Sequence, residues 1–143
     1  MGWRLMPKHA PSVYVPLDAN YLRDPRIRRA GPDAELLYLR ALAYAKAGET
    51  DGIVYDFDLD VVATGLKSTQ ARVNALVRVE LWEVRPEGWF ITGWFKWNDP
   101  VDKLREQKRK RAEGAAKTNH KRHTDSGHLF VSGCLVCIGE VEL

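Results

Sequence analysis

The sequence predicts an α+β fold, mainly helical with a small antiparallel β-hairpin: a winged helix-turn-helix, then a basic helix and a short zinc-knuckle tail. Three observations lead there. A long run from Glu35, ELLYLRALAYAKA, is made of strong helix formers with a broad apolar stripe. Two shorter helix-compatible runs flank the tight turn Gly65-Leu66-Lys67-Ser68. Two aromatic-rich runs follow, LWEVRP and GWFITGW, joined through Pro86-Glu87-Gly88.

Residues 1–17 read as a weakly structured lead-in, and residues 18–98 as the winged helix-turn-helix domain. Within it, Tyr21 to Ala30 suits a short helix with Pro25 near its start. Gly31 and Pro32 stop and restart the chain; Asp33 and Glu35 then occupy the first turn of the long helix, where carboxylates complement the dipole. Leu36, Leu37, Leu39, Leu42, Ala43 and Tyr44 supply its apolar stripe, and Gly48 ends it. In IVYDFDL, Ile53, Tyr55 and Phe57 alternate with Val54, Asp56 and Asp58, the period of a short strand. Asp58 or Asp60 is placed to cap the short helix LDVVATG, which Gly65 ends. Ser68 or Thr69 is placed to cap TQARVNALVRVE, with Val73, Leu76 and Val77 on one face and Ala71, Asn74, Ala75 and Arg78 on the other. Gly88 supplies positive φ in the hairpin turn. From Asp99, a cap followed by Pro100, residues 99–118 form a polar basic helical linker that extends from the domain surface. Residues 119–143 form a His2Cys2 zinc-binding tail.

Composition narrows the function classes. At 143 residues, 45% apolar and 29% charged, this is a folded domain of ordinary size with room for an appended tail. The first residues, broken by Arg4, Lys8 and three prolines, do not read as a signal peptide, and no run approaches the ~20 apolar residues of a membrane span. The expected location is the cytoplasm, where a disulfide does not persist. Residues 1–98 hold 13 Lys/Arg against 12 Asp/Glu, whereas residues 99–128 hold 9 against 5. The net charge of +3 thus lies mainly in the tail, which suits an anionic partner such as nucleic acid.

The second helix of the helix-turn-helix carries the chemistry of readout. Gln70, Arg72, Asn74 and Arg78, with Thr69 and with Lys67 at the entrance, are types that contact phosphates or base edges; each good bidentate pair contributes roughly 1–3 kcal/mol of discrimination. Small Ala71 and Ala75 would let the backbone approach the ~12 Å major groove, while Arg85 in the wing reaches the flanking backbone. A polar outer face that is merely solvated is the bland alternative. In the linker, Lys103, Arg105, Lys108, Arg109, Lys110 and Arg111 offer phosphate contacts, Lys108 to Arg111 above all; four or five of the six would give a log–log salt slope of about −4.

The segment VPLDANYLRDPRIRRAGPDAELLYLRALAYAKAGETDG, followed by the helix-turn-helix and wing, resembles the N-terminal module of phage replication-initiation proteins, the DnaD-like replisome organisers, and helix-turn-helix proteins of actinobacterial phages. The resemblance covers about residues 13–98 and rests on PLD, DP-x-I, L-x-x-L-x-x-x-A, DG and the wing. It implies DNA binding or self-association as a homodimer, in replication initiation or transcriptional control. The chain ends before the second helical domain that often engages single strands or a helicase could fit.

The stretch NHKRHTDSGHLFVSGCLVC holds three of the four histidines and both cysteines. Cys134 and Cys137 have the i, i+3 spacing of a zinc knuckle, with Gly133 and Gly139 beside them. His120 and His123 are also three apart, and the chain between the pairs includes Ser126-Gly127 and Ser132-Gly133 as flexible links. The expected cofactor is structural zinc in a closed site, with His128 as a substitute for either histidine. A redox CxxC, a disulfide and ordinary membership of a basic tail are the competing readings. The main functional rival is a protein-interaction adaptor of a replisome or host factor, using exposed Trp82, Trp89, Trp94 and Trp97; a metal-dependent nuclease is a third.

Overall fold

The computed structural model describes residues 13–143, and the chain divides after Asp99 into two compact units. Most of the lead-in expected over residues 1–17, with Arg4 and Lys8, lies outside the described residues; Val13–Leu17 form no helix or strand.

The first unit is α+β. A single 3-10 turn, Tyr21–Arg23, leads into α1 (Pro25–Ala30), where Asp24 accepts the Arg26 backbone N–H at 2.9 Å. Gly31, at φ 85, breaks the chain before α2 (Pro32–Ala47), which ends at Gly48. The core-facing line of α2 is Ala34, Leu37, Ala41, Leu42 and Ala45, all buried. Three of these five are alanines, so α4 approaches α2 closely; Leu36 and Ala43, expected on the apolar stripe, are exposed.

The strand expected from Ile53 to Phe57 is cut to β1 (Ile53–Tyr55), because Asp56–Asp58 turn into a 3-10 segment that leaves Phe57 stacked on Tyr55 at 5.1 Å in solvent. Helix α3 (Leu59–Val62) follows, then α4 (Thr69–Arg78). Neither expected cap forms on these helices. Asp58 instead accepts a 2.6 Å hydrogen bond from the Tyr44 hydroxyl, tying α2 to the segment before α3. Ser68 sits at φ 55 and makes no capping bond. Leu66 does pack against the core, as the turn sequence implies.

The hairpin is β2 (Trp82–Arg85) and β3 (Gly88–Ile91), and it is not alone. β1 pairs with the other edge of β3, giving a three-stranded antiparallel sheet in the order β1-β3-β2. Trp89 therefore lies opposite Val54 on one side and Val84 on the other. The third strand explains Gly88. A Cβ there would lie 2.1 Å from the Val54 carbonyl oxygen, so glycine is required for the approach of β1 as well as for its φ of 150. Gly88→Ala is expected to cost about 1–3 kcal/mol, the range for forced overpacking, read as a lower urea midpoint with unchanged slope. The run GWFITGW does not continue as strand. Gly93, at φ 78, opens the short helix α5 (Trp94–Trp97) instead.

The core of this unit gathers Ile27, Leu37, Val54, Val62, Val73, Leu76, Leu81, Trp82, Ile91 and Trp94 between the helices and one sheet face. The second unit is one long helix, α6 (Val101–Asp125), and a turn-rich tail without strands. No helix among the described residues is long and apolar enough to cross a membrane.

Candidate metal centre and outward helix face

Helix α6 runs through the expected linker boundary at residue 118 to Asp125, so His120 and His123 sit on its last turns rather than in a separate tail. At i, i+3 they face the same side, with rings 4.9 Å apart and near perpendicular. The helix stops in a Schellman arrangement. Gly127 takes φ 88 and donates to the Thr124 carbonyl at 3.0 Å, and the His128 N–H donates to the His123 carbonyl at 2.9 Å. What reads as a flexible link is thus an ordered helix end.

The chain then returns to α6. The Cys134 N–H donates to Val131 at 3.0 Å, and Ile138 N–H returns to the Cys134 carbonyl at 3.2 Å. Gly139, at φ 82, closes the knuckle, whereas Gly133 has no positive φ. The result places His120 Nδ1 at 3.6 Å from Cys134 Sγ and 3.4 Å from Cys137 Sγ, with His123 Nε2 at 3.4 Å from Cys137 Sγ. One ligand atom from each of the four residues lies within 4.8 Å of all the others. A tetrahedral ion with Zn–S of ~2.3 Å and Zn–N of ~2.0–2.1 Å needs nitrogen and sulfur about 3.6 Å apart, so the three distances are edges of such a site. These four residues could therefore hold a metal ion.

His128 does not join them, so its expected role as a substitute ligand is corrected. Its ring is exposed, while its carbonyl oxygen lies 2.5 Å from His123 Nδ1. With the proton on Nδ1 donated to that carbonyl, the Nε2 lone pair faces the centre, which is how outer groups orient a metal-binding imidazole. The carbonyl and Cys134 also raise the pKa of His123; the Cys134 contact is the larger influence. Burial by itself pushes the Cys134 thiol up, but the N–H groups of Cys137 and Val136 and the rings of His123 and His120 outweigh it, bringing it down to about 6. Thiolate is the ligating form. Both cysteines are free, and Cys134 lies between two turns, not at a helix start after a strand as in redox CxxC sites.

A dry core does not hold this unit. Its only buried apolar residues are Ala116 and Cys134; Leu129, Phe130, Leu135 and Ile138 are exposed, and Val131 and Val136 are half-buried. The Gly127→Ala variant tests the link from helix stop to ligand. Its left-handed φ strains any Cβ, so the His128 carbonyl should shift and metal affinity fall about 10–100-fold, the usual effect of losing an outer partner, in a chelator competition.

The outward face of α4 is only partly as expected. Lys67, Gln70, Ala71, Asn74 and Arg78 are exposed and Thr69 is half-buried, but Ala75 is buried with Val73 and Leu76. Arg72 is turned inward. Its side chain is 13% exposed; Nε donates to the Lys67 carbonyl at 2.8 Å and a terminal nitrogen to the Asp33 carbonyl at 2.7 Å. Together with Arg40, which donates to the Thr64 carbonyl at 2.6 Å, it fastens the turn between α3 and α4 to α2. Those two arginines position the site, and sequence reading gave no role to Arg40. Gln70 and Asn74 are bonded to each other at 2.8 Å on the surface. Arg85 lies in the wing beside Glu83 at 3.1 Å and over the Phe90 ring.

On α6, Lys108, Lys110 and Arg111 are exposed, while Arg109 is clasped by Glu106 and Glu113. The four tryptophans expected on the surface divide. Trp82 and Trp94 are core residues, Trp89 is half-buried, and Trp97 alone is exposed, at 60%. No known protein family, no curated protein and no solved structure matches the chain.

Proposed function

We propose that the chain is a duplex-DNA-binding protein of phage type: a winged helix-turn-helix, in which α4 enters the major groove and the β2–β3 wing lies against the backbone, with a tail built on a structural zinc ion. The observation that carries this reading is the face of α4. Its ten residues contain no acid, and Gln70, Asn74 and Arg78 stand exposed around Ala71, with Lys67 at the entrance. Amide and guanidinium groups on a helix with a small central residue are what base-edge and phosphate contact requires. The Gln70–Asn74 bond is an exposed i, i+4 pair worth only a few tenths of a kcal/mol, and it exchanges readily for a base edge. Arg72 acts in this reading through the turn it fastens, not through DNA.

Zinc is the metal favoured by two imidazoles and two thiolates at tetrahedral spacing, and four protein ligands leave no open position for substrate. The role served is replication initiation or transcriptional regulation, in the cytoplasm. An adaptor surface binding a replisome or host protein is the second reading, and it now rests on Trp97 and Phe95, exposed by 60% and 50%.

Fluorescence anisotropy with a labelled random-sequence duplex decides between them. Binding that weakens steeply between roughly 50 and 200 mM salt, and further with Asn74→Ala and Arg78→Ala together, is the expected result. No binding at the lower salt would refute the DNA reading and leave the adaptor.

A further inference from the structure

The metal centre divides α6 into two unlike halves. At about 100° per residue, Ala116, His120 and His123 define one side of the helix. Six of the nine Lys/Arg of α6 (Lys103, Lys110, Arg111, Lys117, Lys121 and Arg122) fall in the opposite half, against Asp125 alone. Arg105, Lys108 and Arg109 fall on the metal side, with Asp102, Glu106 and Glu113. The half opposite the metal therefore carries a clear excess of positive charge, while on the metal side the cations and acids balance. Arg111, Lys117 and Arg122 are exposed, and among the described residues none of them has an acidic partner within 4.0 Å.

We infer that the half of α6 opposite the metal is a second phosphate-binding surface for duplex nucleic acid, and that metal binding sets its affinity. The inference rests on the DNA reading of the chain and adds to it a second face and a control. The 25 residues of α6 span about 37 Å, close to one turn of duplex at ~34–36 Å, so the row can follow a groove edge. Lys110 and Lys121 carry surface ion pairs to Glu106 and Asp125, at 3.8 and 3.0 Å; such pairs are weak and yield to phosphate. An anionic membrane is the less suitable partner, since a membrane-surface helix needs an apolar face and α6 has only Val101 and Leu104 as large apolar residues.

The coupling to metal follows from the absence of a core. A polar helix that buries only Ala116 has little tertiary support, and two of the four ligands, His120 and His123, occupy its last two turns. Metal coordination holds those turns helical and keeps the returning tail on the side away from the cations. Without metal the C-terminal turns fray, and Lys117, Lys121 and Arg122 lose their common direction.

The test uses the full chain, zinc-loaded and chelator-stripped, with a labelled random duplex and with phosphatidylserine vesicles. Arg111→Gln, Lys117→Gln and Arg122→Gln are combined in one variant; Arg109→Gln is the control. Losing three phosphate contacts should flatten the log–log salt slope by about 2.7, roughly a 40-fold smaller loss between 50 and 200 mM salt. Zinc content of the variant should stay at one per chain, Arg109→Gln should retain the original slope, and stripping zinc should flatten the slope of the unmutated chain. An unchanged slope in the triple variant, with binding still lost on Asn74→Ala and Arg78→Ala, overturns this surface while leaving α4 as the reader. Vesicle binding without duplex binding overturns it in favour of a lipid surface, and no duplex binding by the unmutated chain removes both readings.

Discussion

Removing the metal, by chelation or by Cys134→Ser, should unfold the second unit and leave the first intact. Structural zinc contributes an apparent binding free energy on the order of 10–16 kcal/mol to small modules, larger than any other single term in a unit whose buried apolar residues are Ala116 and Cys134. Hydrogen exchange would show it as lost protection over the last turns of α6 and the tail, with α2 and β3 unchanged. Acidification should act in the same direction. The ion binds thiolate, and the folded unit holds the Cys134 thiol down at about 6 against its ordinary 9.0. Metal and order should therefore be lost together as the pH falls below that value and protons compete for the same sulfur.

Trp82→Ala is the second large effect, expected to cost about 3–5 kcal/mol, the range for deleting a buried aromatic side chain. Trp82 is 1% exposed and lies 5.8 Å from the Trp89 ring at the foot of the hairpin. Its indole N–H is buried with no partner among the described residues, so Trp82→Phe removes an unsatisfied donor along with some volume and should cost much less. Trp97→Ala, at an exposed site, should leave stability within about 0.5 kcal/mol. Denaturant midpoints of the three variants distinguish a tryptophan that builds the wing from one that faces outward.

Features set by local spacing were legible in the sequence. The 3.6-residue period and the flanking Gly31-Pro32 and Gly48 mark α2, and Pro86-Glu87 between aromatic runs marks the hairpin. The clustering of His120, His123, Cys134 and Cys137 was legible too, because two i, i+3 pairs of the right chemistry are uncommon together. What escaped depends on distant partners or on the backbone. Arg72 looks like a groove residue until the Asp33 carbonyl, 39 positions away, is brought beside it. β1 has three residues, too few to reveal that it pairs with β3. His128 resembles a ligand, yet its contribution is a carbonyl oxygen that any residue would have, placed by Gly127.

Amide chemical-shift mapping on addition of duplex DNA addresses the central claim most directly, because it locates the contact as well as detecting it. The account predicts perturbations over residues 67–78 of the helix-turn-helix and along the cationic half of α6, fading as salt rises. Shifts confined to the neighbourhood of Trp97 and Phe95, or none at α4 when duplex is in excess, would contradict it.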